Sequence, residues 1–137
     1  MAPSDVDRVA ALTTQLGYPS TAEQIACRFS RVDGQPQQIV FVADDAGTAI
    51  GWLHVAVHPY LESNPFAEIL GLVVAEGHRD RGIGRALVSA AESWARALGC
   101  ATMRVRSRVA RERAHAFYER EGFQRVKTQY CFEKTIG

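Results

Sequence analysis

The stretch Gly71-Leu72-Val73-Val74-Ala75-Glu76-Gly77-His78-Arg79-Asp80-Arg81-Gly82-Ile83-Gly84-Arg85-Ala86-Leu87 passes from an apolar run through a polar turn into an amphipathic pattern. It reads as a buried strand, a short turn and the start of a helix. Glycines at 82 and 84 remove Cβ atoms where backbone N–H groups would approach a ligand. The first amides of a helix lack intrahelical acceptors, so they can hold phosphate oxygens. Arg79, Arg81 and Arg85 add positive charge where such an anion would sit. Glycines so spaced also occur in loops that bind nothing, and here the three arginines and the preceding buried strand argue for the anion. The Gly-Lys-Ser/Thr of a nucleotide P-loop is missing, and position 87 is leucine where a dinucleotide Gly-x-Gly-x-x-Gly needs glycine. A phosphate-bearing cofactor other than ATP or NAD fits this turn.

Upstream, Val6, Val9, Leu12 and Leu16 recur at helical spacing, with Ser4 available as a cap and Gly17 as a stop, which predicts a helix from Asp5 to Leu16. Ser20 followed by Glu23 has the form of a capping box, and Ile25, Phe29 and Val32 continue it as a second helix that Gly34 ends. Gln38–Val42 and Ala49–His58 read as strands joined by Asp44-Asp45-Ala46-Gly47, a hairpin turn. Phe66–Val74 is nearly all apolar after Glu68, the pattern of a strand buried on both faces, so helices should cover both sides of the sheet.

Downstream, Ile83, Leu87, Ala90, Ala91, Trp94 and Leu98 predict one face of a helix over 83–98 that stops at Gly99. Thr102–Arg106 follows as a short strand and Arg111–Glu121 as a last helix ending in a Gly122-Phe123 left-handed cap. Arg125–Lys134 is expected to close the sheet as a strand or hairpin half. The predicted order, α-α-β-β-β-α-β-α-β, is a mixed α/β (α+β) sheet in a single domain over 1–137.

At 137 residues, 47% hydrophobic and 23% charged, the composition is globular and excludes disorder as the main state. Three cysteines without short spacing, Cys27, Cys100 and Cys131, fit neither a disulfide scaffold nor a paired-cysteine zinc site, and no metal is expected. Asp5 and Asp7 replace the basic start of a signal peptide and no apolar run is long enough to span a bilayer, so a cytoplasmic protein without a membrane partner is expected. The net charge of +1 conceals an asymmetry: residues 1–75 carry three basic and eight acidic side chains, whereas 76–127 carry twelve and six. The basic half suits an anionic cofactor and the acidic half a cationic acceptor.

The turn Arg79-Asp80-Arg81-Gly82-Ile83-Gly84 resembles the Arg/Gln-x-x-Gly-x-Gly/Ala acyl-CoA signature of the GNAT N-acetyltransferase superfamily. Glu112-Arg113-Ala114-His115-Ala116-Phe117-Tyr118-Glu119-Arg120-Glu121-Gly122-Phe123 is similar to that family's second block, Ala-x-x-Phe-Tyr-Glu-x-x-Gly-Phe. The resemblance spans residues 38–134 well and the first two helices loosely. It implies a GNAT fold: a central, mostly antiparallel mixed sheet flanked by helices, with a strand that splays from its neighbour at a bulge. It also implies acetyl-CoA as cosubstrate, with Leu72, Val73, Val74 and Ala75 along pantetheine and Arg79 to Arg85 around the pyrophosphate. Arg111, Ala114, Phe117 and Tyr118 would line the cofactor from the late helix. The chain departs from the family pattern in two places. A helix stands where the family opens with a strand, so the first strand is expected to be missing, which would leave an edge that favours a homodimer. Arg111 stands where the family often has asparagine.

Acetyl transfer to an amine needs a neutral nucleophile, a polarised thioester and a proton for the leaving thiolate. The resemblance implies Tyr118 as the general acid, against its alternative as half of a Phe-Tyr core pair. Glu68 matches the general-base glutamate of histone-acetylating relatives, with an ammonium-holding or solvated carboxylate and a water chain as alternatives. His54 and His58 are candidates to line the acceptor side of the long strand without metal spacing and His78 lies in the turn, but a structural or solvated role is the stronger reading for each; His115, one helical turn before Tyr118, either supports that neighbourhood or caps a side-chain network. Cys100 has no evident His or Asp partner for nucleophilic catalysis. The acceptor is left open among aminoglycoside, polyamine, other small amine, amino acid and peptide N-terminus. Two other functions compete: a catalytically silent acyl-CoA sensor, and nucleic-acid binding through Arg104, Arg106, Arg108, Arg111 and Arg113. No DNA-binding motif or run of stacking aromatics supports the second, so no nucleic-acid partner is expected.

Overall fold

The computed structural model describes residues 1–137. It contains two compact units, Met1–Val105 and Arg106–Gly137.

The first unit opens with a 3-10 turn over Pro3–Asp5 and helix α1, Val6–Leu16. Ser4 does not cap it. Asp5 stands at the N-cap, and its carboxylate accepts from the Ala2 N–H at 2.7 Å instead. Helix α2, Ala22–Val32, has its capping box one residue later than the sequence predicts: Gln24 N–H donates to Thr21 Oγ1 at 3.1 Å, and Thr21 N–H to Gln24 Oε1 at 3.0 Å. Ser20 is otherwise engaged, its hydroxyl donating to the Tyr18 carbonyl at 2.9 Å and accepting from Arg28 at 3.1 Å.

Strands β1 (Gln38–Asp45), β2 (Thr48–His58), β3 (Phe66–Val74) and β4 (Met103–Val105) form one sheet in the order β1-β2-β3-β4. The first two pairings are antiparallel and the third is parallel. The hairpin between β1 and β2 is longer than predicted, because Ala46 and Gly47 both take positive φ, 50° and 87°, and close it as a two-residue turn. No strand precedes α1, as expected, and the Met1 amine donates to the Val40 carbonyl on β1 at 2.9 Å.

Helices cover both sheet faces. Trp52 packs with Val9, Ala10 and Ile25 of α1 and α2, while Gly51, pointing the other way, faces Leu87 and Ile83 of helix α3, Ile83–Ala97. The buried face of α3 is rotated from the predicted stripe: Leu87, Val88, Ala91 and Ala95 are buried, whereas Leu98 is 44% exposed. Small residues at 91 and 95 let the helix lie close to the sheet. β3 departs from burial on both faces, since Leu70 is 46% exposed.

The Trp52 ring lies over Gly71, where a Cβ would come within 2.7 Å of its Cη2 atom. The indole is wedged between the two N-terminal helices and the sheet, so it cannot swing away. Gly71→Ala is expected to destabilise the protein by about 1–3 kcal/mol through overpacking. A urea melt with an unchanged midpoint would rule this out.

In the second unit, helix α4 spans Glu112–Arg120 and ends at Gly122 with φ 93°. Phe123 N–H returns to the Tyr118 carbonyl at 3.0 Å and its ring stands edge-on to Tyr118 at 5.7 Å, the predicted left-handed cap and hydrophobic contact. The strand expected over Arg125–Lys134 is not formed. Its apolar alternation is present, but a strand also needs a neighbouring edge for its hydrogen bonds, and the second unit contains none.

Candidate active site

The turn predicted to hold phosphate contains two left-handed residues and leads into a helix start that no side chain caps. After β3 a 3-10 turn, Glu76–His78, leads to Asp80 at φ +64° and Gly82 at φ +77°. Left-handed residues next to right-handed ones are the backbone pattern from which anion nests are built. Aspartate tolerates that conformation and glycine adopts it freely. The first helical bond of α3 is Ala86 N–H to the Gly82 carbonyl at 3.0 Å, and no side chain caps the helix. The amides of Ile83, Gly84 and Arg85 therefore precede any intrahelical acceptor. Arg79, Arg81 and Arg85 are exposed around them.

Strand β3 opens on the side predicted to meet pantetheine. It pairs with β4 only through Ala67, Ile69 and the intervening Glu68. The register with β2 passes from His54↔Gly71 to Val55↔Ile69, so Leu70 is an extra, bulged residue. Beyond that bulge β4 no longer follows, and one edge of β3 runs unpaired along Leu72, Val73 and Val74. Two main-chain groups of the predicted stretch are already engaged: Ala75 N–H donates to the Ile50 carbonyl at 2.8 Å, and the Val74 carbonyl accepts from Gln15 Nε2 at 3.0 Å. The same Gln15 accepts from Glu76 N–H at 3.2 Å, so one amide side chain of α1 clasps the junction of strand and turn. Nothing in the sequence singled out Gln15, because its partners lie far along the chain.

Glu68 is 8% exposed and sits on the sheet face that carries His54, Ala56 and His58 of β2 and Phe66 of β3. The His58 Nε2 atom lies 3.4 Å from its Oε1. Arg104, opposite Glu68 in the register with β4, places its guanidinium carbon 4.3 Å from the centre of the Phe66 ring. A cavity of about 330 Å³ beside this row is lined in part by Gln38, Ala56, His58 and Leu70. On the same face, His54 Nε2 is 3.0 Å from Gln38 Oε1. The sequence offered the acceptor side for His54 and His58 but favoured a structural or solvated role for both, and it did not join His58 to Glu68.

Burial lowers the His54 pKa below its usual value. The unfolded chain then binds the proton more readily than the folded one, so His54 contributes stability at neutral pH. That contribution is lost as the pH falls below about 6.5 through the lowered folded value. Urea midpoints should therefore drop between pH 7.5 and 5, and His54→Gln should flatten part of the drop. An identical pH dependence in that variant would remove His54 from the effect.

In the second unit, Tyr118 is half-buried between Phe117 and Phe123, with ring centres at 5.4 and 5.7 Å. Burial raises its phenol pKa, and the Arg111 charge opposes the rise. Arg111 is exposed at the N-cap of α4, and Ala114 and Phe117 are half-buried on that helix. His115 Nε2 lies 2.8 Å from the Arg108 carbonyl, fixing the loop before the helix rather than the phenol. No group of three or more His, Cys, Asp or Glu side chains is arranged to hold a metal, and no helix is long and apolar enough to cross a membrane.

The Acetyltransferase (GNAT) family profile matches residues 9–123. The chain is 30% identical over 105 residues to aminoglycoside N(6')-acetyltransferase type 1 of Klebsiella aerogenes, covering 74% of this chain and 69% of that protein. It is 34% identical over 102 residues to the Stenotrophomonas maltophilia protein of the same name, with coverages of 71% and 67%. Its fold superposes with a TM-score of 0.88, at 20% identity, on AAC(6')-Iy in complex with the bisubstrate analogue CoA-S-monomethyl-acetylneamine, over 99% of this chain and 95% of that one.

Proposed function

The chain belongs to the GNAT acetyltransferase family and is an N-acetyltransferase that uses acetyl-CoA, and from that premise we propose that it acetylates a primary amine of a small cationic acceptor of the aminoglycoside class. The observation that carries this reading is Glu68, a carboxylate only 8% exposed in the acidic part of the chain, whose neighbours Ala56 and His58 line a cavity. The names of the relatives support the same acceptor class.

The neutral amine attacks the thioester carbonyl directly. A C–N bond forms, the C–S bond breaks, and no covalent enzyme intermediate intervenes. Glu68 takes the amine proton, directly or through a water, and the Tyr118 phenol gives its proton to the departing thiolate. The pyrophosphate rests on the amides that follow Gly82 with Arg79, Arg81 and Arg85 around it, and pantetheine runs along the open edge of β3. The family resemblance assigns Arg111, Ala114 and Phe117 to the cofactor together with Tyr118. We place the whole of 1–137 in one catalytic domain, working in the cytoplasm with its three cysteines reduced.

A homodimer completes the proposal. Val126, Tyr130, Phe132 and Ile136, each at least 75% exposed, supply an unburied apolar alternation for a second copy to cover. Sedimentation that finds only monomer at micromolar concentrations would remove that part.

The activity is tested by thiol release from acetyl-CoA with a panel of primary amines: neamine, spermidine, free amino acids and a peptide with a free N-terminus. Release with neamine alone, or with neamine fastest, is the expected result. Tight acetyl-CoA binding with no release from any amine would favour a silent acyl-CoA sensor instead.

A further inference from the structure

We propose that His58 is a positioning residue for the reaction, holding the Glu68 carboxylate in the orientation that receives the acceptor's proton; this rests on the assignment of Glu68 as the proton acceptor. A glutamate carboxyl rotates broadly about its last torsion, so a buried one needs neighbours to decide which oxygen faces the reacting amine. His58 supplies such a neighbour from the end of β2. Its Nε2 atom is 3.4 Å from Glu68 Oε1, with side-chain exposures of 32% for the histidine and 10% for the glutamate. The imidazole therefore touches the buried carboxylate and also lines the cavity.

The ring itself is fixed. Tyr60 and Phe66 stack at 5.1 Å with planes 7° apart, and His58 meets both edge-on, at 5.9 and 6.3 Å. Arg104 covers Phe66. A side chain held by two aromatic rings is a rigid support for its neighbour, as a group that positions a catalytic carboxylate must be.

The variant that separates nitrogen from ring is His58→Phe, which keeps the edge contacts and loses the Nε2 atom. With neamine as acceptor it should lower kcat by up to about 10²-fold, the scale of a misplaced reacting group, while the acetyl-CoA KM stays parental. His58→Gln, which returns a side-chain N–H, should recover part of the loss. Combined with Glu68→Gln, His58→Phe should have no further effect, because the group it positions is gone. Parental kcat in His58→Phe alongside an impaired Glu68→Gln would overturn the proposal and leave the role of Glu68 standing. Parental kcat in Glu68→Gln would overturn both. A readout independent of turnover is the ring NMR signal of His58: it should move in Glu68→Gln, and an unmoved signal would also overturn the proposal.

Discussion

Tyr118→Phe is expected to lower single-turnover acetyl transfer by roughly 10²–10⁴, the usual contribution of a positioned general acid, with acetyl-CoA affinity nearly unchanged. The substitution keeps the ring that packs edge-on against Phe117 and Phe123 and removes only the hydroxyl. Burial holds the phenol's pKa above its ordinary value despite the nearby Arg111 charge. The group therefore retains its proton through neutral pH, as an acid must, and loses it only above about pH 10. A descending limb in the parental rate profile that begins well below pH 10 must belong to another group. A parental single-turnover rate in the folded variant would show that the leaving thiolate finds its proton elsewhere.

Gly82→Trp is expected to weaken acetyl-CoA binding about 100-fold or more, and calorimetry reads this directly. Gly82 holds φ +77° at the N-cap of α3, and a Cβ built there has no protein atom within 4 Å. The first atom of a side chain therefore meets no clash there. The variant nevertheless strains the left-handed turn by about 1–2 kcal/mol and places an indole beside the first amides of the helix. Losing two hydrogen bonds to a charged pyrophosphate, at about 1.5–3 kcal/mol each, accounts for the expected weakening. Gly82→Ala, which carries the backbone strain without the bulk, should bind better than the tryptophan variant. Unchanged affinity in folded Gly82→Trp would move the phosphate site away from this turn.

Elements whose signals are local were legible in the chain. The hairpin within Asp44–Gly47, narrowed in the structure to Ala46-Gly47, the strand-turn-helix from Gly71 to Leu87 and the cap at Gly122-Phe123 all depend on φ preferences and spacings within a few residues. Neighbouring chemistry blurred even some local signals. Ser20 and Thr21 are both competent caps, and the contacts of Ser20 with Tyr18 and Arg28 decided for Thr21. The face of α3 and the unformed last strand depended on what each segment finds beside it.

By itself, then, the sequence determined the order of elements from α1 to α4 and the glycine-containing turn between β3 and α3, because residue type and short spacing suffice for those, while the roles proposed for Glu68 and Tyr118 came from the family resemblance. Only the tertiary structure decided that Gln15 clasps the end of β3, that Leu70 bulges where β4 stops following, and that His58 faces Glu68. Each of these depends on cross-strand register or on a helix docking against a distant strand. The loop from Pro59 to Pro65 leaves that register open, a shift of one residue would turn every side chain of β3 to the opposite face, and the burial of the whole sheet selects the pairing that forms.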